Sequence, residues 1–293
     1  GRIDGYRNFC NKLWNAARYV LMNTEGEDCG QQGGEVELSV ADRWILSRLQ
    51  RTTQTVSGAV EGYRFDHAAQ AIYEFTWNEY CDWYLELCKP VLNNDQAAEA
   101  AKRGTRRTLV SVLESLLRLT HPIMPFITEE IWQQVAPRAG VGGETIMLQS
   151  FPEHDADLDA GDAAADTDWV REFILGIRQI RGEMDISPGK ELPVLLQGAG
   201  DRDRDRCTTY SKLLQRVGRV ESVTILDAGD EPPAAATALI GDMRLLVPMK
   251  GIIDVDAERA RLEKQKARVT ADLQRSQGKL QHHQGCSGSP NSL

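Results

Sequence analysis

Apolar side chains recur at helical spacing in four successive segments, and that period restricts the first part of the chain to helices packed on helices. Phe9, Leu13, Ala17 and Val20 form the first stripe, and Ile45, Leu49, Thr52, Val56 and Val60 the second. Ala69, Ile72, Thr76, Tyr80, Trp83 and Leu87 form the third; Leu109, Val112, Leu113, Leu116 and Leu117 form the fourth. Ser39-Val40-Ala41-Asp42 has the form of a capping box ahead of the second helix. Asp66 is placed to cap the third, and Pro90 to stop it. The fourth ends at His121-Pro122-Ile123-Met124-Pro125, where two prolines enforce a corner. Thr128-Glu129-Glu130 is then read as the cap of a short fifth helix carrying Ile131, Trp132 and Val135. The expectation is an all-helical bundle over residues 1–150.

The character changes after that. Thr145 to Phe151 reads as extended, and Glu153 to Asp168 as a solvated acidic linker. Trp169, Phe173, Ile174, Ile177 and Ile180 define another helix, and Leu192 to Leu196 a strand. Tyr210 to Val217 reads as a helix and Val220 to Leu226 as a strand, with a break at Glu231-Pro232-Pro233. Arg244 to Met249 and Ile252 to Val255 are further strand candidates around Gly251. Helices alternating with strands predict a small α/β subdomain over 151–256. Leu262, Val269, Leu273 and Leu280 hold heptad positions over 257–281, interrupted by Lys266 and Ser276, so a partial coiled-coil arm is expected. Residues 282–293 read as a low-complexity, disordered tail. The fold class is therefore mainly α, with a small α/β part.

Charge narrows the possible partners. A net charge of −9 over 293 residues argues against a general nucleic-acid coat, but the charge is uneven. Acid collects in Glu25 to Glu37 and in Asp155, Asp157, Asp159, Asp162, Asp166 and Asp168. Base collects in the first helix and in Lys102, Arg103, Arg106 and Arg107, so a local positive face remains open. No apolar run approaches a membrane span. The six cysteines form no regular framework, which fits reduced thiols and a cytoplasmic setting. The chain begins at Gly1 and reads as an excerpt of a longer protein.

No catalytic constellation emerges. Pro188-Gly189-Lys190 has the wrong glycine spacing for a phosphate loop, and Glu191 stands where Ser or Thr is required. His282, His283 and Cys286 lack a full metal-ligand set. His121 is assigned to capping or packing, and Glu129 and Glu130 to favourable first-turn charge. No catalytic, cofactor or metal site is assigned.

The first helix is better equipped. Arg7, Lys12 and Arg18 lie off its apolar stripe among amides and rings, a mixture suited to unstacked RNA bases and their phosphates. An ordinary amphipathic helix with solvated charges has the same composition. Trp14, Trp44, Trp77 and Trp83 are expected in the core.

Longer motifs carry more. Arg7 to Ala16 (RNFCNKLWNA), Ala41 to Leu49 (ADRWILSRL), Tyr73 to Leu87 (YEFTWNEYCDWYLEL) and His121 to Trp132 (HPIMPFITEEIW) closely resemble, in order, the anticodon-binding bundle of bacterial valyl-tRNA synthetases. The resemblance reaches to about Leu280. It implies a class I synthetase that activates valine with ATP and magnesium and loads it on tRNA. The family's HIGH-type and KMSKS-type motifs and its editing domain are not in this sequence. The resemblance thus implies the region after the KMSKS loop, inactive alone, with the catalytic domain of the same parent chain as a partner. It also implies a monomer that binds the tRNA for valine, and neither membrane nor DNA. Its coiled-coil arm has two helices, of which one is present here. On this reading Tyr6, Arg7, Asn8, Lys12, Asn15 and Arg18 face the anticodon, and Lys102, Arg103, Arg106 and Arg107 are phosphate candidates. The alternatives are a non-catalytic helical or coiled-coil interaction module, and the equivalent region of an isoleucyl- or leucyl-type synthetase.

Overall fold

The computed structural model describes residues 2–159, 161–227, 229–249, 263 and 266–275. Helix α1 (Arg2–Thr24) buries Leu13, Ala16, Ala17 and Val20 against the bundle, and Arg138 reaches its last turn to donate to the Leu21 carbonyl and, at 2.8 Å, to Thr24 Oγ1. Helix α2 (Val40–Glu61) starts with the reciprocal cap the sequence predicts: the Asp42 amide donates to Ser39 Oγ at 3.1 Å, and the Ser39 amide to the Asp42 carboxylate at 2.8 Å. Asp42 is fully buried and also accepts from the Tyr84 and Thr105 hydroxyls at 2.6 and 2.9 Å. Burial pushes its carboxyl pKa up, against the hydrogen bonds that favour the charged form.

The third stripe is not one regular helix. Helix α3 (Phe65–Glu74) passes into a π-helical segment, Phe75–Tyr84, and then one α turn, α4 (Leu85–Leu87). Widening the helix shifts the buried set so that Phe75, Tyr80 and Tyr84 all face inward, spaced by five and then four. Arg48 of α2 clamps this segment, its Nε lying 3.0 Å from each Glu79 carboxylate oxygen. Arg64, not Asp66, holds the cap position of α3, with no side-chain cap bond. Pro90 does not end the helical path: it sits in the first turn of α5 (Lys89–Leu92), where a missing N–H costs nothing.

Helix α6 (Glu99–Thr120) is the central rod, with Leu109, Val112, Leu113, Leu116 and Leu117 fully buried. At Gly104 the Glu37 carbonyl comes so close that an added Cβ would lie 1.9 Å from its oxygen. Helix α7 (Pro125–Val135) begins before the expected Thr128 cap, behind Met124; Thr128 instead donates to the Met124 carbonyl and meets His121 Nδ1 at 2.8 Å. The stretch read as extended, 145–151, contains a 3₁₀ turn, Ile146–Leu148. Glu129 organises it by accepting from the Thr145 hydroxyl at 2.7 Å and the Ile146 amide at 3.2 Å.

The acidic segment is not a solvated linker. Asp159 accepts from Ser47 Oγ at 2.6 Å, the Asp155 amide donates to Gln50, and Asp162, Asp166 and Asp168 belong to α8 (Gly161–Glu183). One face of α8 lies on α2, another on a four-stranded sheet. The sheet comprises β1 (Leu192–Gln197), β2 (Val220–Ile225), β3 (Ala235–Ile240) and β4 (Met243–Pro248), in the order β2-β1-β4-β3. β1 and β2 are parallel, joined through α9 (Asp201–Thr209) and α10 (Ser211–Gly218); β4 runs antiparallel to both β1 and β3. α9 and β3 lie outside the elements that the sequence pattern predicts. Bundle and sheet share one continuous apolar core, including Trp44, Leu113, Phe173, Ile177, Val194 and Leu245.

Residues 266–275 are helical, with Val269 and Leu273 exposed. Ile252 to Val255, Leu262, Leu280 and the 282–293 tail lie outside the described residues. No helix of the described residues is long and apolar enough to cross a membrane.

Candidate nucleic-acid interface

The outward face of α1 carries Arg7, Asn11, Trp14, Asn15 and Arg18, all exposed and spaced to share one side of the helix. Arg7 meets only the exposed Asp4, at 3.4 Å, and Arg18 has no side-chain partner among the described residues. Trp14, expected in the core, is 43% exposed in the middle of this row. It follows Leu13 by one residue, and a turn of about 100° per residue carries it off the apolar stripe. Asn11, three residues before Trp14, shares its side of the helix and is exposed with it. Asn8 flanks the row and is exposed.

Tyr6 faces elsewhere. It is 70% exposed at the mouth of a cleft of about 550 Å³ between α1, α3 and the corner after α6, walled by Phe9, Tyr73, Ile123 and Met124. From that cleft a ring ladder runs along the α1–α3 seam, with Phe9 and Tyr73 stacked at 5.5 Å and Tyr73 and Trp77 at 5.6 Å. Lys12 closes the ladder 4.6 Å from the centre of the Trp77 ring while ion-paired to Asp82. It is thus a clamp between helices, not the open cation expected from the sequence. Trp44 and Trp83 are buried as predicted, and Trp77 is half-buried.

The second basic cluster is on α6, and most of its charge is already used. Arg103 binds Asp28 at 2.7 Å and the Glu35 carbonyl at 2.7 Å; Arg106 binds Glu27 at 2.9 Å; Lys102 meets Glu99 at 3.6 Å. Burial opposes the Asp28 charge, but the Gln32, Gln31 and Gly30 amides and Arg103 together hold its carboxyl below the usual range. Arg103 and Arg106 therefore staple the acidic 25–37 loop to α6, whereas Lys102 pairs within the helix. Arg107 is exposed, its stem packed against Gly30, with no ion-pair partner among the described residues.

The five described cysteines are unbridged, and burial pushes the Cys81 and Cys88 thiols up to about 12. Among the described residues no group of three or more His, Cys, Asp or Glu could hold a metal ion.

Against this geometry, a family model described as the anticodon-binding domain of tRNA ligase matches residues 42–196, more than half of the chain. The chain belongs to that family. The match opens at the buried Asp42 cap and closes in β1, so it takes in the bundle from α2 to α8. The partner of an anticodon-binding domain is tRNA, and the function is recognition on behalf of a synthetase. Helix α1, with its exposed row, precedes the matched span but is packed into the same core.

Proposed function

We propose that this anticodon-binding domain reads the tRNA for valine as part of a valine–tRNA ligase, with the outward face of α1 meeting the anticodon. The observation that carries the reading is the Arg7-Asn11-Trp14-Asn15-Arg18 row, which offers cations, amides and an exposed ring in one line. Single-stranded bases stack on rings and pair with amides, while phosphates seek the cations. The cleft beside Tyr6 can receive one base turned out of the stack. Support for valine comes from the four stretches that resemble valyl-type synthetases, the first of which contains Arg7, Asn11, Trp14 and Asn15. Activation of valine with ATP and magnesium, and editing, fall to other parts of the parent enzyme, a cytoplasmic monomer.

Fluorescence anisotropy with labelled tRNA transcripts tests this. Valine tRNA should bind at least about tenfold more tightly than its anticodon variants and than isoleucine or leucine tRNA, with affinity falling as salt rises. Equal binding of valine tRNA and its anticodon variants would sink the reading. Tighter binding of isoleucine or leucine tRNA would move the assignment to those relatives.

A further inference from the structure

A second positive surface lies where the bundle meets the α/β half. Lys89 and Pro90 of α5, Arg178 of α8, Arg216 of α10 and Arg219 ahead of β2 line a polar trough of about 640 Å³. Arg178 lies with its guanidinium 4.9 Å from the centre of the Trp83 ring. Arg216 donates to the Pro90 carbonyl at 3.3 Å, so the trough is bridged by a backbone contact rather than an ion pair. Arg219 caps α10 in the left-handed region, at φ 54°. None of these three arginines has a carboxylate partner among the described residues, whereas Lys102, Arg103 and Arg106 of α6 all do.

The trough also has acids. Glu86 is taken by Lys89 at 2.5 Å. Glu191 and Glu221 stand exposed on the rim and reach no arginine. The local balance is positive nonetheless. Arg181, buried beneath, spends its donors on the Ser187, Lys190 and Arg219 carbonyls at 2.8, 2.6 and 3.0 Å. Its pKa lies below the usual value, first from burial and then from the Arg219 charge.

We infer that this trough binds the phosphodiester backbone of the same tRNA, away from the anticodon bases. The inference rests on the tRNA reading above and adds a contact that reaches beyond the matched span, since Arg216 and Arg219 follow residue 196. Guanidinium groups fit phosphate oxygens in a fork, and such contacts position an RNA without reading its sequence. Lys89 also lies 5.8 Å from the centre of the Tyr19 ring, linking the trough to α1.

The test uses the full chain and two variants. Arg216→Gln with Arg219→Asn removes two cations, and asparagine tolerates the left-handed backbone. Valine tRNA and an anticodon-altered transcript should both lose about tenfold in affinity, with the log–log salt slope shallower by about 1.4 to 1.8. Glu191→Gln with Glu221→Gln removes rim acids and should tighten both by about threefold or more, which keeps the test informative if the arginine variant misfolds. Unchanged affinity in the folded variants overturns the trough, as does a loss confined to one transcript. If the unaltered chain binds valine tRNA and its anticodon variants alike, the anticodon reading fails instead, and the trough is judged on slope alone.

Discussion

Lys12 of α1 is ion-paired to Asp82 of the π-helical segment while its ammonium lies 4.6 Å from the centre of the Trp77 ring. The pair is part-exposed, so its worth is modest: about 0.2–1 kcal/mol for the charges and about 0.5–1 kcal/mol for the ring contact. Lys12→Ala should lower the unfolding free energy in urea by about 1 kcal/mol. Asp82→Ala should do less, and the double variant should fall short of the sum, because both remove one interaction. Additive losses would show that the two side chains act separately.

Gly104 and Gly58 should respond in opposite directions to the same change. At Gly58, exposed on α2, an added Cβ meets nothing within 4 Å, and Gly58→Ala should stabilise by about 0.5–1 kcal/mol through helix propensity. At Gly104 the same methyl would overlap the Glu37 carbonyl, and Gly104→Ala should destabilise by about 3 kcal/mol as the loop before α2 is forced off α6. Thermal melts of the two variants side by side decide it.

The two basic groups should separate cleanly in binding. Arg18→Ala on α1 should weaken tRNA binding by about fivefold and make the salt slope shallower by about 0.7–0.9, with the melting temperature unchanged. Arg103→Ala on α6 should lower the melting temperature, because Asp28 and the Glu35 carbonyl lose their partner, yet leave affinity within about twofold. Anisotropy titrations at several salt concentrations, with parallel melts, measure both.

Acid should loosen the α/β half through Asp166. Its carboxylate is partly buried, which opposes the charge, but it accepts from the Tyr210 hydroxyl at 2.7 Å and Arg206 at 2.9 Å. These bonds hold the carboxyl pKa below the usual carboxylate value. A depressed folded pKa contributes stability that is present above about pH 4 and lost as pH falls through the folded value. Asp166→Asn should therefore cost about 1 kcal/mol at pH 7, and the gap to the unaltered chain should close by about pH 2. A gap that stays constant with pH would remove the carboxylate's charge from the explanation.

What could be read from the sequence was local. The stripes on α1 and α6, the α2 stripe as far as Val56 (Val60 is exposed), the Ser39–Asp42 cap and the β1–α10–β2 order all follow from spacing within one turn or one strand. What could not be read was decided by partners far along the chain. Arg103 and Asp28 are 75 residues apart, and Ser47 and Asp159 are 112 apart, so a basic patch and an acidic linker both turned out to be structural pairs. The shift at Phe75–Tyr84 escapes a fixed 3.6-residue period because the segment itself changes period. Of the proposed RNA face, Arg7, Asn15 and Arg18 lie where their positions predicted. Trp14, expected in the core, lies outward because its angle on the helix overrides its hydrophobicity.

Helix α8 touches α2 on one side and the sheet on the other. A single rod that floors both halves couples their unfolding, so the chain should melt in one step with no surviving piece. Cutting near residue 150 would strip Arg171 from above the Trp44 and Trp83 rings and open the shared core to water. For anyone shortening this protein, the separable unit runs at least to the end of β4, and the boundary suggested by the change in composition is a place where the chain cannot be divided.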